Sequence, residues 1–303
     1  MTAWTNATDR GHAQSTRDQA PSTGLGEMVH PQAQDLVLQR DRLPITELAI
    51  APYADWFWSV RWARHGQPLR TSEVITSPVC HLTFEQGTRS GGDPLVRHNI
   101  RMPAAVVTTV WTSRFRVQLA GEGRVLGLRF KPGGLAALIG AVLPADQALR
   151  ADSLLPGAAE VLTGVLAEPD DAQRRDLVQS WLVLLASEPS VDYLMARDLV
   201  EWTLQDSTVV RVEQIAGKAG MSVRGVQRLF REYIGVPPKW VLMRSRLQDA
   251  AAVLDRDPGV DLADVAASLG WYDQSHFVRD FRRFLGVTPG RYTRDAHLDA
   301  QPR

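Results

Sequence analysis

Residues 212–241 read VEQIAGKAGMSVRGVQRLFREYIGVPPKWV, and residues 262–294 read LADVAASLGWYDQSHFVRDFRRFLGVTPGRYTR. The second stretch repeats the first at a spacing of about 50 residues, the kind of self-similarity that decides architecture before any element is assigned. Ile215-Ala216 matches Val265-Ala266, and Gly220 matches Gly270. After one extra residue in the second copy, Phe230, Gly235 and Pro238 match Phe281, Gly286 and Pro289.

Each copy has the parts of a helical hairpin. A short amphipathic helix carries a small residue, Ala216 or Ala266, where a second helix crosses closely. Gly220 and Gly270 stand where the chain leaves that helix, because glycine takes a left-handed C-terminal conformation without steric cost. Ser222 and Asp273 then precede the next helix, where their side-chain oxygens can cap free amides. In the second helices Val226, Leu229 and Phe230, and likewise Phe277, Val278 and Phe281, recur at three- and four-residue intervals and predict a buried stripe.

The opposite faces carry Arg224, Gln227, Arg228 and Arg231 in the first copy, and Gln274, Ser275, Arg279, Arg282 and Arg283 in the second. Arginine can donate twice to guanine and glutamine can pair with adenine in a major groove, while further cations hold phosphates. The bland alternative is a solvated basic face, to which two tandem copies are a poorer fit than one. Between the copies, Trp240–Leu254 reads as one long amphipathic helix. Such a spacer can present two recognition helices to successive major grooves about 34 Å apart.

Charge agrees with this reading. Lys and Arg balance Asp and Glu at 34 each over the 303 residues, yet Val209–Arg294 holds fourteen basic and nine acidic residues. The surplus of five sits in the segment that would meet a polyanion.

These residues resemble the DNA-binding domain of the AraC/XylS family of transcriptional regulators, over about Val209 to Arg294. The second unit carries the family's pattern most fully: an Ala-containing helix, a Gly-aromatic turn, Ser-x-Phe in the recognition helix and a closing Gly-x-x-Pro-x-x-Tyr. The first departs from it at Gly225, which inside a helix costs roughly 1 kcal/mol relative to alanine. The resemblance implies base reading by Arg224, Gln227, Arg228, Gln274, Ser275 and Arg279. Phosphate or auxiliary contacts would fall to Arg231, Lys239, His276, Arg282 and Arg283. Double-stranded DNA is the implied partner, with RNA polymerase, a small-molecule effector and a second copy of the chain as further candidates. The effector site is not indicated, and neither a metal nor a cofactor is implied.

Outward from the repeat, the expected fold is α+β: a β-rich domain, cupin-like in style, followed by an all-α DNA-binding domain. VITSPVCHLTF, AAVVTTVWTSRFRVQL and RVLGLRF are rich in β-branched and aromatic residues and are punctuated by Gly and Pro. The expected divisions are a tail at 1–42, a sensor or dimerisation domain at 43–166, a helical connector at 167–206, the DNA-binding domain at 207–296 and a tail at 297–303. Arg124–Gly140, RVLGLRFKPGGLAALIG, resembles a recurring segment of the N-terminal domain in a subset of the same family. Pro132-Gly133-Gly134 reads as a strand-to-helix turn, and its amides leave open an anion site. Trp56, Phe57, Trp58 and Trp62 fit either core packing or the wall of an apolar pocket.

Other classes are constrained by what the chain contains. Its apolar stretches fall far short of the roughly 18 residues that span a bilayer. The first 24 residues lack the apolar segment of a secretory signal, so a cytoplasmic protein is expected. A lone cysteine, Cys80, excludes an internal disulfide and a multi-thiolate zinc site, and reads as a small core residue. It also argues against a DNA-repair methyl acceptor. The alternative is a cupin-like metalloenzyme with an appended DNA-binding domain, using His65, His81 and His98 with Glu85 or Glu122. These lack the tight His-x-His spacing of such sites. The expectation is a regulator and not an enzyme.

Overall fold

A computed structural model of the chain describes residues 26–28, 39–67, 70–89, 91–113 and 115–299. Most of the tail expected at 1–42 lies outside these residues. Within it, however, Gly26–Met28 and Gln39–Pro44 are strands, β1 and β2, paired to strands further along the chain.

The N-terminal half is antiparallel β-structure. β3 (Ala54–Arg64), β4 (Arg70–Thr76), β5 (His81–Thr88), β6 (Val96–Arg97), β7 (Ile100–Arg101), β8 (Ala104–Thr108), β9 (Phe115–Leu119), β10 (Gly121–Phe130) and β11 (Ala148–Arg150) follow in order. They form a six-stranded sheet ordered β11-β8-β5-β10-β3-β2, a three-stranded sheet ordered β1-β4-β9, and the small β6-β7 hairpin. Strand alternation sorts the six-stranded sheet into two apolar faces. Phe57, Leu82, Phe84, Val107, Leu126, Leu128 and Phe130 join the main core, whereas Trp58, Trp62, Ala104, Val106 and Val125 form a second cluster with Leu119 of β9. Trp58 and Trp62 are therefore core, whereas Trp56 is half-buried with the guanidinium groups of Arg42 and Arg129 over its ring. Trp58 lies directly over Gly127, where any β-carbon would overlap the indole.

The helices cover the first face. α1 (Gly134–Ile139), α2 (Ala158–Ala167), α3 (Asp171–Val183) and α4 (Val191–Gln205) contribute Leu135, Val165, Trp181 and Tyr193 to the main core. That core continues without a break into the C-terminal helices, through Val226, Phe230, Trp240, Phe277 and Phe281. The anion reading of Pro132-Gly133-Gly134 does not hold. Gly134 donates to the Lys131 carbonyl at 2.9 Å and is pressed against the Tyr53 carbonyl, leaving an ordinary turn into a six-residue helix.

The C-terminal half is all helical: α5 (Val212–Ala219), α6 (Val223–Tyr233), α7 (Pro238–Arg256), α8 (Leu262–Ser268), α9 (Gln274–Leu285) and α10 (Pro289–Asp299). α10 runs three residues into the stretch expected as a tail at 297–303, because Tyr292 anchors it in the core, where its ring meets Phe281 edge-on. No helix among the described residues is long and apolar enough to cross a membrane.

Candidate nucleic-acid interface

The two helical hairpins are built by matching local chemistry. α5 and α8 end in turns where Gly220 (φ +63°) and Gly270 (φ +80°) are left-handed, a conformation that would strain an L side chain. Ser222 Oγ accepts from the Gly225 amide at 3.1 Å, and Asp273 Oδ1 accepts from the His276 amide at 2.6 Å, so each second helix starts on a side-chain cap. Gly225 thus sits in the first turn of α6, at the capped amide. A full mid-helix glycine penalty does not apply there.

The helices are amphipathic as their spacing requires. Val226, Leu229 and Phe230 are buried in α6, and Phe277, Phe281, Phe284 and Leu285 in α9. Val278 is only half-buried and edges the groove face. Opposite these stripes, Arg224, Gln227, Arg228, Arg231, Gln274, Ser275, His276, Arg279, Arg282 and Arg283 are all exposed, as is Lys239 near the start of α7. Gln274, Ser275, Val278, Arg279, Arg282, Arg283 and Thr288 line one open groove of about 760 Å³. Within that groove, Arg279, Arg282 and Arg283 form no salt bridge with any described residue and so present a concentrated positive field.

His276 has an additional bond. Its Nε2 lies 3.2 Å from Asp280 Oδ2, and the same oxygen accepts from Trp271 Nε1 at 3.0 Å. The indole of Trp271 packs on Phe277, and the Arg246 guanidinium lies 5.0 Å over it while donating to the Gly270 carbonyl at 2.9 Å. Arg246 therefore pins the turn of the second hairpin to α7. In the sequence, Arg246 is only one more positive charge of a basic segment. The Gly-aromatic dipeptide was the signal that a cation could stack at that turn.

The N-terminal half reaches the same hairpins. Tyr233, closing α6, shares a 3.2 Å hydrogen bond with Ser190, and its ring stands 6.0 Å from Tyr193. Trp240 Nε1 donates to the Thr112 carbonyl at 3.4 Å. Arg244, on α7 and nearly inaccessible, donates to the Thr76 carbonyl and to Ser77 Oγ.

The candidate metal ligands are not brought together. His65 pairs with Glu122 at 3.2 Å, and Glu85 is bound by Arg97 at 2.7 Å. His81 is buried beside Trp58, while His98 stacks on Phe115. Among the described residues no group of three or more His, Cys, Asp or Glu side chains is placed to hold a metal ion. Cys80 is buried in the main core.

Two capped helix-turn-helix units joined by one helix define the class: a helix-turn-helix DNA-binding domain behind a β-rich domain. Residues 215–295 match the family model described as a helix-turn-helix domain, and residues 44–149 match a domain of unknown function, DUF6597. The C-terminal domain of this chain is of the AraC type. The transcriptional activator NphR of Rhodococcus sp is 34% identical over 104 residues, covering 34% of this chain and 30% of NphR. The RCS-specific HTH-type transcriptional activator RclR of Escherichia coli (strain K12) is 30% identical over 120 residues, or 38% of this chain and 42% of RclR. The chain thus matches less than half the length of either relative. ToxT from Vibrio cholerae shares 11% identity at a TM-score of 0.37 over 85% of this chain and 98% of ToxT.

Proposed function

We propose that this protein is a sequence-specific DNA-binding transcriptional regulator. The observation that carries the reading is the set of exposed Arg and Gln side chains on α6 and α9, opposite the faces that each helix buries. Arg224, Gln227 and Arg228 on the first helix, and Gln274, Ser275 and Arg279 on the second, read base edges. Arg231, Lys239, His276, Arg282 and Arg283 hold phosphates or support these contacts. Residues 207–296 act as the DNA-binding unit, 43–166 as a sensor or dimerisation unit and 167–206 as the connector that transmits between them. A small-molecule effector, RNA polymerase and a second copy of the chain are the further partners this role calls for, in the cytoplasm and without an enzymatic activity. The similarity to named transcriptional regulators supports the same reading.

Selection from a random duplex library with the full chain, followed by footprinting, tests it. The expected result is an enriched site with two protected major-groove blocks about one helical turn apart. Binding that falls with rising salt but enriches no sequence would reduce the protein to a non-specific polyanion binder.

A further inference from the structure

A cavity of about 270 Å³ opens where the two halves of the chain meet. Tyr53, in the turn before β3, forms one wall with Ala137 and Val142 from α1 and the turn after it. Glu188 comes from the link between α3 and α4, and Glu232 and Tyr233 from the last turn of α6. The N-terminal half, the link between α3 and α4 and the first hairpin therefore all contribute to it.

Its chemistry has one sign. Glu188 and Glu232 both line the cavity, neither forms an ion pair among the described residues, and no Lys, Arg or His lines it. The negative field reaches the wall: burial first, and then the charge of Glu188, pushes the Tyr53 phenol above its ordinary pKa against the bond to Ser187. The rest of the lining is suited to a compact organic body. Tyr53 is buried and donates to the Ser187 carbonyl at 2.8 Å, Tyr233 is fixed by Ser190 at 3.2 Å, and Val142 exposes apolar surface at the mouth. Two exposed carboxylates without a counter-ion, at a cavity walled by Tyr53 and Tyr233, favour a cation and disfavour an anion. A volume just below the usual range for ligand pockets limits the occupant to a small molecule.

We infer that this junction cavity binds a small organic cation, an amine or quaternary ammonium on a compact apolar or aromatic body. Because Glu232 and Tyr233 close the first recognition helix, occupancy alters how α6 is held against the N-terminal half, and hence DNA affinity. This regulatory half rests on the DNA-reading role proposed above. The binding half does not.

The test uses the full chain without DNA and three probes of nearly equal shape: phenethylammonium, 2-phenylethanol and 3-phenylpropionate, titrated by calorimetry or ligand-observed NMR. The expected result is saturable binding of phenethylammonium with Kd at or below about 1 mM. The alcohol and the carboxylate should bind at least about tenfold more weakly, and the double variant Glu188→Gln/Glu232→Gln should lose at least about tenfold for the cation alone. Failure to saturate by about 10 mM, equal binding of the three probes, or an unchanged Kd in the double variant overturns the site. DNA titrations with and without the bound probe then address regulation. A shift in DNA affinity that disappears in the double variant supports it, and unchanged affinity with the cavity filled overturns it. If the chain selects no DNA sequence at all, the DNA-reading proposal falls while the binding result stands.

Discussion

Arg244 Nε donates to the carbonyl oxygen of Thr76 at 2.9 Å, linking the helix that joins both helix-turn-helix units to the edge of the N-terminal β-structure. The two residues are 168 positions apart in the chain, and Arg244 is only 4% exposed. A buried cation whose donors meet carbonyl and hydroxyl oxygens ties the halves together. A hydrogen bond from a charged donor is worth about 1.5–3 kcal/mol, and losing the donor leaves a buried carbonyl unsatisfied. Arg244→Met, which keeps most of the apolar stem, should therefore destabilise the whole chain by about that amount in urea unfolding. An unchanged midpoint would show that the Arg244 bonds add nothing to the hold between the two halves.

The cap on the second recognition helix makes a separable prediction. Asp273 accepts from the His276 amide, and no other side chain caps that helix start. Asp273→Ala should cost about 1 kcal/mol of stability, while Asp273→Ser, which restores an acceptor, should recover most of it. DNA affinity should follow the same order, since fraying the first turn of α9 displaces Gln274 and Ser275. Equal stabilities for the alanine and serine variants would contradict a capping role.

Base reading and phosphate contact differ in their response to sequence and salt. Arg279→Ala should weaken binding to the selected site by about 1–3 kcal/mol and relax preference at one base position. Arg282→Ala should weaken binding to selected and random duplex alike and lower the slope of log K against log salt by about 1. Competition titrations on both duplexes at several salt concentrations distinguish the two. Parallel losses for Arg279→Ala on both duplexes would move it to the phosphate-contacting set.

The C-terminal fold was legible because its determinants are local. Caps at Ser222 and Asp273, left-handed glycines at 220 and 270, and apolar residues at helical spacing each act within a turn or two of chain, so the sequence displays them directly. The outward face of α6 and α9 was readable as the complement of the buried stripe. What could not be read depends on non-local approach. β2 pairs with β3 only through the register Gln39↔Arg61 to Pro44↔Trp56, which a polar, aperiodic stretch of sequence does not announce. Arg244 and Arg246 look like two more surface cations of a basic helix, yet one is buried against Thr76 and the other stacks on Trp271. The junction cavity joins residues from positions 53 to 233, and no local pattern encodes that meeting.

Cys80 offers a chemical probe of the core. It is the chain's one cysteine, it is buried in the main cluster, and burial pushes its thiol up to about 12 despite a hydrogen bond with Val110 that works the other way. Because the thiolate is the reactive species, native protein at pH 8 should react with an aromatic disulfide reagent far more slowly than unfolded protein. The rate should rise along the urea transition of the N-terminal half. Rapid stoichiometric labelling of the native protein would show that the β5 edge opens readily.

His81 should set part of the acid limb of stability. It is 3% exposed, neither ring nitrogen has a hydrogen-bond partner, and burial pushes its pKa from the ordinary 6.5 down to about 3. The folded state therefore keeps the imidazole neutral, while the unfolded chain takes up a proton below pH 6.5. Protons favour the unfolded state across that window. The contribution of His81 is fully present above pH 6.5, erodes at about 1.4 kcal/mol per pH unit as pH falls below it, and levels off below about pH 3. Between pH 7 and pH 5 the cost is on the order of 2 kcal/mol. His81→Leu removes the titration and leaves no hydrogen bond broken, so its stability should fall less than that of the native sequence over the same interval. Urea midpoints at pH 7 and pH 5 for both proteins supply the comparison, and identical pH slopes would mean that His81 gains a proton in the folded state as easily as in the unfolded one.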